Sequence, residues 1–395
     1  MIRPRALLAL TPDLAGSDVN RTLLSLLDEL GRAGAVDPGR TRVVAGAGGV
    51  LAQEMAGTAD LAAVRVVGDG ADRVGAVAGR VHPRARSVGE RVGLSWGLAR
   101  HPHRSGFGPP DVVWAHGAAA LTLAEGLPRP ARRAPLVVRL PEGPLGLARA
   151  AGPDAAERLG RARLVVTSSV VMRDHLVAEL GLSPSRIAVH PPWALPAPAV
   201  DSERPTVPDD ALVVAGGGPI GWRAGTDLFV TLAARLPAEV DGRPVRLVWV
   251  GRPDGAEAAE RVATDIALRG LADRVQVVEA DGWGAEWPAP ALVVVTARES
   301  PVPLLALAAA RRSVPVLGHR LSGLADVLPE AVHDESLVDL FADDDLSDRA
   351  AALLADPDAR SSLGAEQGAH VARHHGARTC VADLWADVAA HLARG

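Results

Sequence analysis

The segment 212–251 constrains the fold of this chain more than any other. It opens with the apolar run 212–215 and breaks into three glycines at 216–218. Residues 228–236 then place apolar side chains at helical spacing, and a second apolar run covers 245–250. The order strand, glycine turn, helix, strand is the repeating unit of a parallel α/β sheet. We therefore predict such a sheet in this half of the chain.

The glycines after the first predicted strand indicate where this sheet binds a ligand. Parallel sheets bind ligands beyond the carboxyl ends of their strands, and glycine lets the backbone approach a phosphate closely. A following helix start adds free amides and a positive dipole end. We assign Gly217, Gly218 and Arg223 to a phosphate site, with Gly251 and Arg252 after the next strand.

Composition bounds the size and the class of the protein. A chain of 395 residues exceeds one ordinary core, which predicts two domains. Every basic residue is arginine and the formal net charge is −5, which argues against a dedicated nucleic-acid binder. The single Cys380 excludes an intrachain disulfide and a cysteine metal cluster, and we interpret it as a buried small residue rather than a reactive thiol.

The chain shows no targeting signal that we recognise. The apolar part of residues 1–10 is too short for a signal peptide, and no apolar run reaches membrane-spanning length, so we expect a cytoplasmic protein. Residues 80–105 are rich in arginine, histidine, glycine and proline. This segment offers two interpretations: peripheral contact with a membrane surface or an acidic acceptor, or a solvated face without special chemistry. The second is favoured.

The first half of the chain alternates apolar runs with amphipathic segments, which predicts a doubly wound domain. Gly16 lies in the polar loop after the first strand and is assigned to the ligand edge of the sheet. His116 ends a later strand, so we predict that it contacts the acceptor substrate. The predicted strands are 6–10, 42–45, 63–67, 111–116, 136–140, 163–166 and 187–190.

The second half repeats the pattern after a proline-rich boundary. We predict a first domain at 1–192, a linker at 193–210, a second domain at 211–376 and a final helix at 377–395. Further strands are expected at 275–278, 292–296 and 314–317. The histidines at 101, 103, 116, 374 and 375 form no metal-ligand pattern with nearby acids and are expected to be solvated, so no metal is predicted.

Four motifs in the second half follow one another in a definite order. They are W-R-A-G-T-D-L-F at 222–229, V-W-V-G at 248–251, A-R-E-S-P-V-P-L at 297–304, and P-V at 315–316 followed by S-G-L-A-D at 322–326. In order and spacing they resemble the C-terminal domain of the group 1 (family 4, retaining) glycosyltransferases. Segments 111–116, 135–142 and 165–174 are similar to motifs in the first domain of the same family.

The resemblance implies the GT-B fold. In that fold two Rossmann-like doubly wound domains face a central cleft, and the C-terminal helix returns to the first domain. The implied reaction is a metal-independent transfer of a sugar from a nucleotide-sugar donor, with retention, to an acceptor that is a small molecule, a glycan or a lipid-linked molecule. The donor is a substrate and no other cofactor is implied. A homodimer or an active partner transferase is a further expectation.

The same resemblance assigns roles to individual residues. Arg139, Glu142 and Glu299 occupy positions with catalytic functions in the family. Ser300, Pro303, Leu304 and Leu305 occupy donor-binding positions. For Glu299 an ion pair with Arg298 or a helix cap is the alternative to donor contact, and Trp222 and Trp249 are expected to fill the core rather than stack on a base.

Several family residues are replaced in this chain. The lysine that contacts the donor diphosphate is Ala224, and the paired acids of the E-x7-E motif are Ser300 and Ala308. The histidine pair of the first domain falls at Arg139 and Pro141. Two hypotheses follow: a transferase with a variant donor pocket, which we favour, or a catalytically inactive protein that binds or scaffolds an active transferase.

Overall fold

The computed structural model of the chain describes residues 6–57, 63–67, 109–196, 204–285, 287–300, 302–320 and 322–394. The arginine-rich segment 80–105 and part of the proline-rich linker lie outside the described residues. The chain divides into two units, one formed by residues 1–190 with 377–395 and the other by residues 191–376.

The first unit is built on a seven-stranded sheet in the order β3-β2-β1-β4-β5-β6-β7, in which every pairing is parallel. Its central strands β1 and β4 are buried along their whole length, as expected for a parallel sheet covered on both faces. The strands are β1 Leu7–Thr11, β2 Arg42–Ala45, β3 Ala63–Val66, β4 Val112–His116, β5 Leu136–Leu140, β6 Leu164–Thr167 and β7 Ile187–Val189.

Seven α-helices of the first unit connect these strands in the described part of the chain. The longest begins after Ser17, whose side chain accepts a hydrogen bond from the Asn20 amide as an N-cap. The helices are α1 Asp18–Arg32, α2 Ala52–Gly57, α3 Leu121–Gly126, α4 Arg129–Arg132, α5 Pro144–Ala151, α6 Ala155–Gly160 and α7 Val170–Ala178.

The second unit has its own sheet, in the order β11-β10-β8-β12-β13-β14, with the short β9 pairing antiparallel to β10. Its strands are β8 Leu212–Gly217, β9 Glu239–Val240, β10 Arg243–Val250, β11 Val275–Val278, β12 Leu292–Val295, β13 Val316–His319 and β14 Leu337–Val338. Its helices are α8 Thr226–Arg235, α9 Ala256–Leu268, α10 Leu304–Arg311, α11 Ser322–Ala325, α12 His333–Ser336, α13 Asp343–Ala355 and α14 Pro357–His374. The prediction of two doubly wound parallel sheets is confirmed.

The last helix, α15 Ala377–Ala393, belongs to the first unit, as predicted. It packs on α1, and the ring of its Trp385 lies 6.4 Å from the ring of Trp114 in β4. Cys380 is buried in the same face, as expected, and burial raises the pKa of its thiol to about 11. None of the described helices combines the length and the apolar character that crossing a bilayer requires.

The packing of α15 predicts a large loss of stability in Trp385→Ala. Trp385 is 6 % exposed, so the truncation leaves a cavity against Trp114 and costs about 3–5 kcal/mol in the free energy of unfolding. Chemical denaturation of the whole chain measures this loss. The matched control is Arg378→Ala, an exposed residue of the same helix. Equal stability of the two variants would contradict the packing role of α15.

Candidate functional site

The glycine turn after β8 is the centre of the candidate site in the second unit. A Cβ atom at Gly217 would lie 2.9 Å from both Leu305 Cδ2 and Val250 O, and one at Gly251 would lie 1.8 Å from Gly218 O. Gly218 itself has φ of 126°, which side-chain-bearing residues rarely adopt. Close approach of the loops after β8 and β10 therefore demands glycine here, whatever ligand binds.

The backbone of Gly218 is held by the neighbouring strand. Its amide donates to Val250 O at 3.0 Å, and its carbonyl accepts from the Trp249 indole at 3.1 Å. Trp249 is 1 % exposed, as expected of a core residue. In this conformation the Gly218 amide is engaged within the protein, so its predicted phosphate contact requires a shift of this turn and stays a prediction.

Arg298, at the end of β12, fixes the loop that follows the glycine turn. Its guanidinium forms a two-pronged pair with the Asp227 carboxylate, with both N–O distances 2.8 Å, and also donates to Trp222 O at 2.6 Å. The guanidinium lies 4.8 Å from the centre of the Trp222 ring. Trp222 is 62 % exposed, so the expectation that it fills the core is wrong. The carboxylate that pairs with Arg298 is that of Asp227 and not that of Glu299, which was the alternative expected from the sequence.

Arg223 lies beside Glu299 at the same edge of the sheet. The Arg223 guanidinium nitrogen is 3.5 Å from Glu299 Oε2, and the Arg298 amide donates to Arg223 O at 2.9 Å. The Glu299 side chain is 8 % exposed and that of Arg223 is 40 % exposed. The structure thus brings together two residues that are 76 positions apart in the chain, one predicted to bind phosphate and one predicted to be catalytic.

The start of α10 completes this edge. Pro303 precedes the helix without a side-chain cap, and the Leu304 amide donates to Val302 O at 2.9 Å. Leu304 is buried, whereas Leu305 is half-buried and packs on Gly217. Ser300 is half-buried in the loop before the helix. The helix start therefore meets the glycine turn, as the motif order predicts.

Arg252 has a partner that sequence reasoning missed. Its Nε donates to Asp281 Oδ1 at 2.6 Å, and this carboxylate raises the pKa of the guanidinium. The Arg252 side chain is 61 % exposed, and its carbonyl accepts from the Ile220 amide at 2.8 Å. Asp281 follows β11 and carried no motif that marked it. The predicted phosphate contact of Arg252 competes with this ion pair.

In the first unit His116 ends β4 but is enclosed. Its Nδ1 accepts from the Trp114 indole at 3.2 Å, which places the ring proton on Nε2, and Nε2 donates to Val19 O at 2.9 Å. Burial and the positive charge of Arg139 lower its pKa to about 3, against the opposing effect of the hydrogen bond to Val19 O. His116 and His375 are buried, so the expectation that they are solvated is wrong. The predicted contact of His116 with the acceptor stays untested.

The two predicted catalytic residues of this unit differ in setting. Arg139, in β5, is 1 % exposed, and burial lowers its pKa to about 10. Such enclosure does not fit contact with a substrate in this conformation. Glu142 accepts from the Ala118 amide at 2.9 Å, close to Gly117 with its φ of 87°, and so holds the turn after β4.

Two remaining predictions concern small features. Gly16 is buried before α1, and its carbonyl accepts from Arg21 Nε at 3.2 Å. Within the described residues no group of three histidine, cysteine, aspartate or glutamate side chains could hold a metal ion.

Comparison with solved structures identifies the fold as GT-B. The Anabaena protein HepE in complex with UDP and glucose has a TM-score of 0.71 and 15% identity, with 98% of this chain and 100% of that chain covered. Sucrose-phosphate synthase from Thermosynechococcus elongatus has a TM-score of 0.68 and 15% identity over 99% of this chain and all of that one. The lipopolysaccharide outer core galactosyltransferase WaaB, in its apo form, has a TM-score of 0.61 and 12% identity, with 97% and 99% covered. No protein-family model matches the sequence, and comparison with curated protein sequences gives no relative.

The enclosure of His116 predicts a specific pH dependence of stability. An unfolded histidine titrates near pH 6.5, whereas His116 stays neutral in the folded protein down to about pH 3. Between these values only the unfolded chain binds the proton, so the free energy of unfolding falls as pH falls, by up to about 1.4 kcal/mol per pH unit from this group.

His116→Asn retains an acceptor for the Trp114 indole but cannot titrate, so its stability should fall less steeply between pH 6.5 and 4. Urea unfolding across this range measures both slopes. His391→Asn, in the partly exposed end of α15, is the matched control for the same substitution at a less enclosed histidine. Parallel slopes for His116→Asn and wild type would contradict a neutral, enclosed His116. The pKa of His370 is also lowered, to about 4, so His370 makes stability fall with pH in the same direction. The effect of His116 is therefore measured as the difference in slope between wild type and His116→Asn.

Proposed function

We propose that this chain is a glycosyltransferase that moves a sugar from a nucleotide-sugar donor to an acceptor. The proposal includes the absence of a required metal and retention of the anomeric configuration. The observation that carries it is the placement of Arg223 and Glu299 together at the edge where the glycine turn meets the start of α10. The fold shared with HepE, whose structure contains UDP and glucose, supports a nucleotide-sugar donor.

The chemistry of sugar transfer fits this arrangement. Charge builds on the departing diphosphate while the anomeric carbon becomes oxocarbenium-like, so positive potential at the diphosphate is the main contribution a protein makes. Arg223 is 40 % exposed and so is accessible to such an anion. The open start of α10 adds its dipole. Glu299 is then placed to accept hydrogen bonds from donor hydroxyls.

Arg223 takes over part of the role that the family gives to lysine. Ala224 stands at the lysine position and lies over the glycine turn, because its Cβ is 3.5 Å from the point where a Gly218 Cβ would be. A cation one residue earlier, held close to Glu299, keeps a positive charge at the same turn. The variant donor pocket is the reason we place the enzyme ahead of its alternative.

The second candidate is an inactive relative that binds or scaffolds an active transferase. Ser300 and Ala308 in place of the family's paired acids favour it, since hydroxyl contacts to the donor sugar and ribose are lost. Arg139 favours it too, because a fully buried guanidinium cannot replace a histidine that reaches the substrate. Both candidate functions predict binding of the donor, but only the transferase predicts turnover.

Nucleotide binding is the first test. A nucleoside diphosphate at a hundred times its dissociation constant stabilises the folded chain by about 2.7 kcal/mol. We expect UDP or another nucleoside diphosphate to raise the melting temperature. Arg223→Ala should weaken the binding roughly tenfold or more, the usual loss for one charge-assisted contact.

The matched control is Arg269→Ala, which removes an arginine that forms an ion pair with Asp265 at the far end of α9. It should bind nucleotide as the wild type does. Absence of stabilisation by every nucleoside diphosphate and nucleotide sugar, or an equal loss in both variants, would overturn the donor site.

Turnover separates the two candidates. An active enzyme releases nucleoside diphosphate when it transfers the sugar of its nucleotide sugar. Transfer to water is slow, and transfer to an acceptor is faster. We expect Glu299→Gln to bind nucleoside diphosphate normally but to lose roughly a hundredfold in release, since it disturbs positioning of the sugar. Binding without any release, in the presence of lipid-linked, glycan and small-molecule acceptors, would favour the scaffold.

A further inference from the structure

The first unit contains a cavity of about 700 Å³ at the edge opposite to the carboxyl ends of its strands. Leu136 at the start of β5 lines it, as do Arg163 and Arg186, which stand just before β6 and β7. Ligands of doubly wound sheets bind at the carboxyl edge. A cavity at the amino edge is therefore separate from the acceptor edge predicted for this unit.

The lining of this cavity is strongly basic. Among the described residues that line it, one carboxylate, that of Glu125, stands against six guanidinium groups. A net charge of this size within one concave surface raises the local concentration of anions. The six are Arg132, Arg133, Arg158, Arg161, Arg163 and Arg186.

Two of the six arginines have carboxylate partners. Arg158 Nε lies 2.8 Å from Glu125 Oε1, and its other nitrogens donate to Ala151 O and to the Thr122 hydroxyl. Arg161 lies 2.5 Å from Glu157 Oε1. Glu125 is thus already bound, and it leaves the charge of the other four arginines uncompensated within the cavity.

The other four arginines form no ion pair within the part of the chain that the structure describes. Arg163 donates to His391 O at 3.3 Å, and Arg186 donates to Gly160 O at 3.0 Å. Arg132 and Arg133 are exposed, at the end of the short helix α4. Arginines near helix C-termini do satisfy terminal carbonyls, which accounts for the bond of Arg186 at the end of α6. Each of these carbonyl bonds uses one guanidinium nitrogen of Arg163 or Arg186, and the other nitrogens are left for a ligand.

We propose that this cavity binds an organic phosphate. Guanidinium forks match phosphate oxygens two at a time, and the volume lies within the range of small-molecule sites. The apolar side chains of Val113, Leu121, Leu127, Leu136 and Leu392 also line the cavity and suit an uncharged body attached to the phosphate. A free organic phosphate and the headgroup of an anionic phospholipid share this chemistry.

Titration with inorganic pyrophosphate tests the site directly. We expect isothermal titration calorimetry at low ionic strength to show binding to the wild-type chain. Removing both Arg132 and Arg133 by alanine substitution should weaken it roughly tenfold or more, since charge-assisted contacts are lost. The matched control is Arg129→Ala, an exposed arginine of the same helix that does not line the cavity.

Pyrophosphate is also a fragment of the proposed donor, so the donor site must be kept distinct. The titration is therefore repeated in Arg223→Ala, where binding to the cavity should persist. Stabilisation by nucleoside diphosphate should in turn persist when Arg132 and Arg133 are replaced. Absence of pyrophosphate binding in Arg223→Ala, or an equal loss with Arg129→Ala, would overturn the cavity site.

Vesicles separate the two sources of the phosphate. Co-sedimentation with phosphatidylglycerol in phosphatidylcholine, compared with phosphatidylcholine alone, reports binding to a headgroup. Loss of co-sedimentation in the Arg132 and Arg133 variant, but not in Arg129→Ala, supports the phospholipid source. Pyrophosphate binding without vesicle binding supports a free organic phosphate.

Discussion

The candidate donor site depends on one ion pair, the two-pronged contact between Arg298 and Asp227. This pair joins the segment after β12 to the first turn of α8, and the Arg298 amide donates to Arg223 O in the loop before that helix. The Arg298 side chain is 9 % exposed and that of Asp227 is 48 % exposed, so solvent screens the pair in part, from the carboxylate side. Because the loop is held in this way, Arg223 lies beside Glu299 instead of extending into solvent.

In the second unit, the proposed donor site differs from the resembled motif in the position of its positive charge. Ala224 stands where the glycosyltransferases that the sequence resembles have lysine, and Arg223 places a cation one residue earlier in the same turn. Both residues follow the glycine turn, and adjacent Cα atoms lie about 3.8 Å apart, so the charge stays in the same loop. The proposed transferase depends on Arg223 supplying the positive charge. The scaffold hypothesis depends on the loss of the two acids that Ser300 and Ala308 replace.

The first unit illustrates the opposite outcome for polar residues at strand ends. His116 is assigned to acceptor contact because carboxyl ends of parallel strands face ligands, and Arg139 is assigned to catalysis by the family resemblance. In the folded unit both side chains are buried, and His116 has bonds at both ring nitrogens. Position in a strand does not reveal what packs over it. Here the covering includes α15, which lies more than two hundred residues further along the chain and brings Cys380 close to Arg139.

The sequence by itself determined the two parallel sheets, the glycine turn and the order of the donor-site motifs. These depend on local periodicity, on backbone freedom at Gly218 and on the absence of a side chain at Gly251. Only the tertiary structure decided that Arg298 pairs with Asp227, that Trp222 is exposed and that Asp281 holds Arg252. It also gathered the basic cavity from segments between Val113 and Leu392. Ion pairs and burial depend on which residues lie close together in space, and the spacing of residues along the chain does not reveal this.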